Sequence, residues 1–178
     1  MLGRLFLFVC LLMALQAEAL PDTLRLSEFK EHCMLFEKAD FTTTPLREKR
    51  KILPQSFAEQ FTDWQLLSPQ SGTYADRIHW LHFWIHNDTD TAQTIYINVT
   101  SANQIVVFHI LKNGKLSTSG NGYMTPSSQW ALREDDRYVP LTIAKGATVD
   151  VLAQISNHAG ILPFWTGAQS PKPSLRLQ

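Results

Sequence analysis

The feature that most constrains the fold of this chain is a repeated alternation of side-chain character with a period of two residues. It is clearest between residues 78 and 86, where two sets of side chains point opposite ways: Leu81, Phe83 and Ile85 on one face, and Trp80, His82, Trp84 and His86 on the other. A period of two is typical of a β-strand whose two faces meet different surroundings, and it argues against a helix here.

The same alternation recurs further along the chain, in residues 93–100, 139–143 and 149–155. Residues 104–111 are nearly all apolar, as in a strand that is buried on both faces. Asn113-Gly114 is typical of a hairpin turn, and residues 117–130, rich in Ser, Thr, Gly and Asn, are predicted to form a long loop. Seven or more short strands at this spacing predict an all-β fold, either an antiparallel sandwich or a barrel.

The remaining segments differ from this region in composition. Residues 20–63 are predicted to hold short strands and a short helical connection that begins at Thr44-Pro45, because a hydroxyl cap followed by proline favours a helix start. Residues 64–167 are the predicted body of the sandwich. The tail, residues 168–178, contains the Pro- and Ser-rich string 170–174 and is predicted to be linker-like.

The alternation also predicts which side chains form the core. Apolar residues at every second position of three strands should face inward together. They are Leu81, Phe83, Ile85, Ile95, Ile97, Val99, Val149, Val151 and Ile155.

The N-terminus is typical of a secretory signal peptide. Arg4 precedes an apolar run from Leu5 to Leu15, and small residues follow at Ala17 and Ala19. The run is shorter than the ~20 residues that a membrane-spanning helix needs. We therefore expect residues 1–19 to be removed between Ala19 and Leu20, and the mature protein to be exported.

Charge and motifs argue against several function classes. Lys plus Arg and Asp plus Glu both number 16, so the formal net charge is zero, unlike that of a typical nucleic-acid-binding domain. No phosphate-binding glycine loop or nucleophile elbow is present, so we expect no enzyme activity, no catalytic residue and no cofactor. His82 and His86 share a face, but they would lie about 13 Å apart along a strand, too far to hold one metal ion.

The aromatic face of the strand at 78–86 suggests a binding surface. Planar aromatic rings stack on sugar rings, and guanidinium groups bind hydroxyl or carboxylate groups. The predicted ligand-binding residues come from this face and from the polar loop that follows Asn113-Gly114: Trp80, Trp84, Tyr123 and Trp130, with Arg133 or Arg137 as the polar partner. The alternative is that the N-terminal segment covers this face, or that the two faces are assigned the wrong way round.

Several segments together resemble a known bacterial family. They are Ile78-His79-Trp80-Leu81-His82-Phe83-Trp84-Ile85-His86-Asn87, Thr94-Ile95-Tyr96-Ile97, the apolar strand up to Leu111, the Gly-rich loop ending in Pro126, Tyr138-Val139-Pro140-Leu141 and Leu162-Pro163-Phe164-Trp165. Over residues 32–167 the chain is similar to the second type of extracellular domain of bacterial seven-transmembrane receptors with diverse intracellular signalling modules (7TMR-DISM).

The resemblance implies a jelly-roll, galactose-binding-like β-sandwich related to carbohydrate-binding modules. It would lie on the periplasmic or extracellular side of the bacterial inner membrane. Seven membrane helices and a histidine kinase or cyclic-dinucleotide output domain would follow Gln178. The chain departs from the family pattern at His82 and at Trp130, because the resemblance leads us to expect arginine at both positions.

These observations predict an exported, non-enzymatic sensing domain that binds a small molecule, with a carbohydrate as the candidate ligand. Its partner would be the seven-helix membrane domain of a full-length receptor. Two alternatives remain open: a free-standing periplasmic carbohydrate-binding protein, and a structural or adhesion module that binds only protein.

Overall fold

The computed structural model describes residues 23–29, 32–35, 38–48, 51–54, 57–68, 76–98, 104–122, 138–157 and 174–177. These residues form eleven β-strands: β1 (Leu24–Arg25), β2 (His32–Met34), β3 (Asp40–Pro45), β4 (Gln65–Leu66), β5 (Arg77–His86), β6 (Gln93–Asn98), β7 (Gln104–Lys112), β8 (Lys115–Gly122), β9 (Val139–Ile143), β10 (Thr148–Asn157) and β11 (Ser174–Leu177). The all-β prediction is confirmed.

The strands form two sheets. The large sheet has the order β4-β3-β5-β10-β7-β8, and β1 pairs with the far end of β5, next to β3. The small sheet has the order β2-β11-β6-β9. All pairings are antiparallel except that of β1 with β5.

A single hydrophobic core lies between the two sheets. It contains Phe83, Phe108 and Val151 from the large sheet together with Ile97 and Leu141 from the small one. Eight of the nine residues predicted to form the core are fully buried: Leu81, Phe83, Ile85, Ile95, Ile97, Val149, Val151 and Ile155. Val99 lies outside the described residues. The face assignment made from the alternation is therefore confirmed, and the architecture is a sandwich.

The turn at Asn113-Gly114 joins β7 to β8. Both residues have positive φ angles, 50° and 72°, as the type I′ turn of a two-residue hairpin requires. The hairpin continues in register from Lys112–Lys115 to Ile105–Gly122. The prediction of a loop was therefore wrong for residues 117–122, because a strand at the end of the sheet can be polar when a tight turn fixes its register.

The predicted helix start at Thr44-Pro45 is also wrong. Both residues end β3, where they pair with Ile78 and Arg77 of β5. Because β4 pairs only with Asp40 and Phe41, the other edge of β3 has no strand partner in the described residues at Pro45, and an unpaired edge tolerates proline. The described residues contain no α-helix, only a 3-10 turn at Leu26–Glu28.

Asn87, which directly follows β5, stabilises the connection to β6 through its side-chain hydrogen bonds. Its side chain is fully buried, and its amide nitrogen donates to the carbonyl oxygens of Thr91 and Ile143. Its side-chain oxygen accepts hydrogen bonds from the backbone N–H and the hydroxyl of Thr89. The asparagine that closes this strand motif thus ties the large sheet to the end of β9.

The two ends of the chain differ in what the structure describes. The signal-peptide prediction, including cleavage between Ala19 and Leu20, lies outside the described residues. Ser174–Leu177, within the tail predicted to be linker-like, form β11 and pair with both β2 and β6. Among the described residues, no helix is long and apolar enough to cross a membrane.

Candidate functional site

The outer face of the large sheet carries the side chains that alternate with the core. Trp80, His82 and Trp84 follow one another on this face of β5. Strand pairing places two carboxylates beside them, because Asp40 of β3 is the partner of His82 and Asp150 of β10 is the partner of Trp84. Acidic, imidazole and indole groups are therefore adjacent on one surface.

Part of this face is covered by the segment between β3 and β4. The covering side chains and the sheet form a second hydrophobic cluster of Ile52, Phe57, Phe61, Ile78, Trp80 and Leu152. The ring centroids of Phe61 and Trp80 lie 4.6 Å apart. Covering of the outer face by the N-terminal segment, one of the alternatives considered above, is thus observed over Trp80.

Trp80 belongs to this covered part. It is only 1% exposed, and its indole nitrogen Nε1 donates to the hydroxyl of Thr44 at 2.9 Å. Its ring offers no free face to a ligand in this structure. Trp80 instead attaches the covering segment to the sheet.

An open cleft of about 460 Å³ lies where the cover meets Trp84. Its floor comes from β3, β5, β10 and β7, and its wall comes from the covering segment. The described lining residues are Asp40, Pro54, Phe57, Ala58, Glu59, Phe61, Trp64, His82, Trp84, Leu111 and Asp150. A concave site with aromatic walls and a few polar groups is the usual form of a small-molecule binding site.

His82 lies at the base of the cleft and is held by several contacts. Its ring nitrogen Nε2 donates to Oδ1 of Asp150 at 2.6 Å. The ring of Trp84 meets it edge-on with a centroid separation of 4.0 Å, and the ring of Trp64 lies 5.5 Å away. His82 is 4% exposed, so the orientation of its imidazole is fixed by packing as well as by this hydrogen bond.

Asp40 completes the polar side of the cleft. Partial burial raises the pKa of its carboxyl group, and the nearby His82 imidazole acts in the opposite direction. Burial dominates because removal from water disfavours the charged form of a carboxyl group. The carboxylate of Asp40 is thus incompletely solvated.

Two further histidines of the large sheet are buried away from the cleft lining. Burial lowers the pKa of His79 to about 4, and burial also lowers the pKa of His109. Among the described residues, no group of three or more His, Cys, Asp or Glu side chains is arranged to hold a metal ion.

The structure brings together only part of the predicted site. Trp84 lines the cleft, whereas Trp80 is buried beneath the cover. Tyr123, Trp130, Arg133 and Arg137 lie outside the described residues, so their part in the site stays a prediction. His82, where the resemblance leads us to expect arginine, is paired with Asp150.

Sequence reasoning missed several cleft residues: Asp40, Glu59, Trp64 and Asp150. A signal existed for Asp150, because it alternates with the inward residues Val149 and Val151 and must therefore face outward. No comparable signal marked the others, since their segments show no regular period.

The comparisons with known proteins give one family. The family model described as 7TMR-DISM extracellular 2 matches residues 50–166, which is more than half of the chain. The matched residues include the outer wall of the cleft from Pro54 to Trp64 as well as β5, β7 and β10. No curated protein matches the chain.

Proposed function

Because the chain belongs to the 7TMR-DISM extracellular 2 family, the extracellular sensor domains of seven-transmembrane receptors, we propose that it binds a small molecule in the cleft beside Trp84. The observation that carries this proposal is the cleft itself. Its indole and imidazole rings and its carboxylates converge on one concave space of about 460 Å³ at the outer face of the large sheet.

A carbohydrate is the candidate ligand for this cleft. Trp84 is half-buried and borders the open space, so a ring face can stack on a flat sugar ring. Carboxylates accept hydrogen bonds from sugar hydroxyl groups. Asp40, Glu59 and Asp150 can provide such acceptors around one ring.

The proposed action is binding without chemistry. The cleft lies outside the core, on a sheet whose central strands β5 and β10 pair over eight residues. We assign no catalytic step to His82 and Asp150, whose hydrogen bond orients the imidazole at the base of the cleft. The protein acts on the outer side of the bacterial inner membrane, after export.

The proposed partner is a seven-helix membrane domain of the same receptor. A ligand can shift a two-state equilibrium in such a partner only by the difference between its affinities for the two states. The domain's contribution is therefore to change conformation or mobility when the cleft is filled.

Ligand screening on the wild type and Trp84→Ala tests the proposal. A panel of mono- and oligosaccharides is added while thermal unfolding is followed, since a bound ligand stabilises the folded state in proportion to ln(1 + [L]/Kd). At least one sugar should raise the unfolding temperature of the wild type, and the shift should be lost in Trp84→Ala.

Leu66→Ala is the matched control, because Leu66 is an exposed apolar residue on the same sheet that is not among the cleft-lining residues. It should keep the full ligand response. If a stabilising sugar acts equally on Trp84→Ala, its site lies elsewhere and the proposed cleft is wrong.

A further inference from the structure

The described lining residues of the cleft contain more acidic than basic side chains. Its described lining residues include three carboxyl groups, those of Asp40, Glu59 and Asp150, and one basic group, that of His82. No lysine or arginine is among them. Carboxyl groups therefore outnumber basic groups among the described lining residues.

This excess of acidic side chains is local, because the chain as a whole carries equal numbers of acidic and basic residues. The single imidazole is already engaged by Asp150, with 2.6 Å between Nε2 and Oδ1. Asp40 and Glu59 therefore face the same space with no second basic side chain among the described lining residues. The surroundings of Asp40 also raise the pKa of its carboxyl group through burial, so a nearby positive charge would stabilise its ionised form.

The aromatic side chains of the cleft also favour a positively charged ligand. The face of an indole ring attracts a cation that lies within about 6 Å of the ring centre. Trp84 and Trp64 both line the cleft, and both rings lie next to the His82 ring. Indole faces combined with carboxylates favour an ammonium group over a neutral group of similar size.

We propose that the cleft selects ligands that carry an ammonium group, so that an amino sugar is bound in preference to its neutral counterpart. The inference rests on the proposed function, because it assigns a charge to the ligand of the same cleft. Asp40 and Glu59 supply the selectivity, and Trp84 supplies the stacking surface common to charged and neutral ligands.

Three probes test the inference by calorimetric titration at about pH 6.5, where aspartate and glutamate carboxylates are normally ionised. The first two are the tetramers of glucosamine and N-acetylglucosamine, which share a ring and linkage but differ in charge. The third is spermidine, which carries ammonium groups and no sugar. The glucosamine tetramer should bind at least ~10-fold more tightly than the acetylated one, a difference of about 1.4 kcal/mol.

The preference should have an electrostatic signature. Raising the salt concentration from about 0.05 M to about 0.5 M should reduce the ratio of the two tetramer affinities several-fold, because screening weakens interactions between exposed charges. Asp40→Asn and Glu59→Gln, which keep the size of each side chain, should each reduce it as well. Asp90→Asn is the control, since Asp90 is an exposed acid that pairs with Lys145 and is not among the cleft-lining residues; it should change nothing.

The outcomes separate the two proposals. Equal binding of both tetramers would overturn the charge preference and leave the proposed sugar-binding cleft in place. The same conclusion would follow if Asp40→Asn and Glu59→Gln left the preference unchanged. Binding of spermidine and the glucosamine tetramer alike, with Trp84→Ala weakening both, would support the ammonium preference and contradict a carbohydrate ligand. If neither amine probe binds, the inference is wrong.

Discussion

Acidification should destabilise this fold through His79. The imidazole is 1% exposed, lies on the central strand β5 and stacks on Phe41 with ring centroids 6.0 Å apart. Burial holds its pKa at about 4, against an ordinary value of 6.5, although a hydrogen bond to the backbone of Ile155 favours the protonated form. The folded state therefore keeps this residue neutral at pH values where an exposed histidine is charged.

The direction and size of the effect follow from proton linkage. Between pH 6.5 and 4 the unfolded chain binds a proton at His79 that the folded chain does not, so the free energy of unfolding decreases as the pH decreases. The slope approaches 1.4 kcal/mol per pH unit. From about pH 7.5 to about pH 4.5 the loss due to this one residue is about 2–3 kcal/mol, a large part of the stability of a single domain.

Urea-induced unfolding, followed by tryptophan fluorescence across this pH range, measures the effect. The comparison is between the wild type and His79→Gln, which retains an N–H donor near Ile155 but cannot titrate. The difference between the two free energies of unfolding cancels the contributions of His109, Asp40 and Asp88, whose pKa values are also shifted. The wild type should lose about 2–3 kcal/mol more than the variant on acidification.

Ile85→Val controls for a general loss of stability, because it removes one methylene group from the same strand without changing a titrating group. Its difference from the wild type should be constant with pH, at about 1 kcal/mol. Parallel pH curves for the wild type and His79→Gln would refute the reasoning, since they would mean that His79 titrates alike in the folded and unfolded chains.

Three further predictions concern the core, the β5–β6 connection and processing. Phe83→Ala should cost about 3–5 kcal/mol in urea unfolding because it opens a cavity between the sheets, and a loss below about 1 kcal/mol would contradict the burial of that ring. Asn87→Ala should cost about 2–4 kcal/mol, since it removes the side-chain hydrogen bonds to Thr89 and Thr91 and the buried one to the carbonyl oxygen of Ile143, whereas an unchanged unfolding midpoint would show that the connection needs none of these bonds. Mass spectrometry of the exported protein should find Leu20 as the first residue, and a retained Met1 would exclude cleavage after Ala19.

The strands and the core could be predicted because their signal is local. Alternate residues of one strand must face opposite ways, so Leu81 and Phe83 could be assigned to the interior without knowledge of their partners. The turn at Asn113-Gly114 was predictable for the same reason, since two adjacent residues with positive φ angles define it.

The cleft could not be predicted because it depends on pairing between distant segments. Asp40 and Asp150 lie more than a hundred residues apart, and both approach His82 only through the register of β3 and β10 with β5. Its wall is formed by Phe57, Phe61 and Trp64, which follow no strand or helix period. At Thr44-Pro45 a local signal was misleading. The two residues are typical of a helix start, but pairing with β5 places them in a strand.

The interior position of β11 in the small sheet has a consequence for how the protein is made. Met34 pairs with Ser174, about 140 residues later, and β11 separates β2 from β6. The described strands of the large sheet are all present once β10 has been synthesised, but β2 gains this neighbour only after β11 has been synthesised. Contacts between such distant residues are slow to form. The edges of β2 and β6 that pair with β11 therefore stay open until β11 has been synthesised, and open strand edges are the places where a nascent chain is most prone to aggregate.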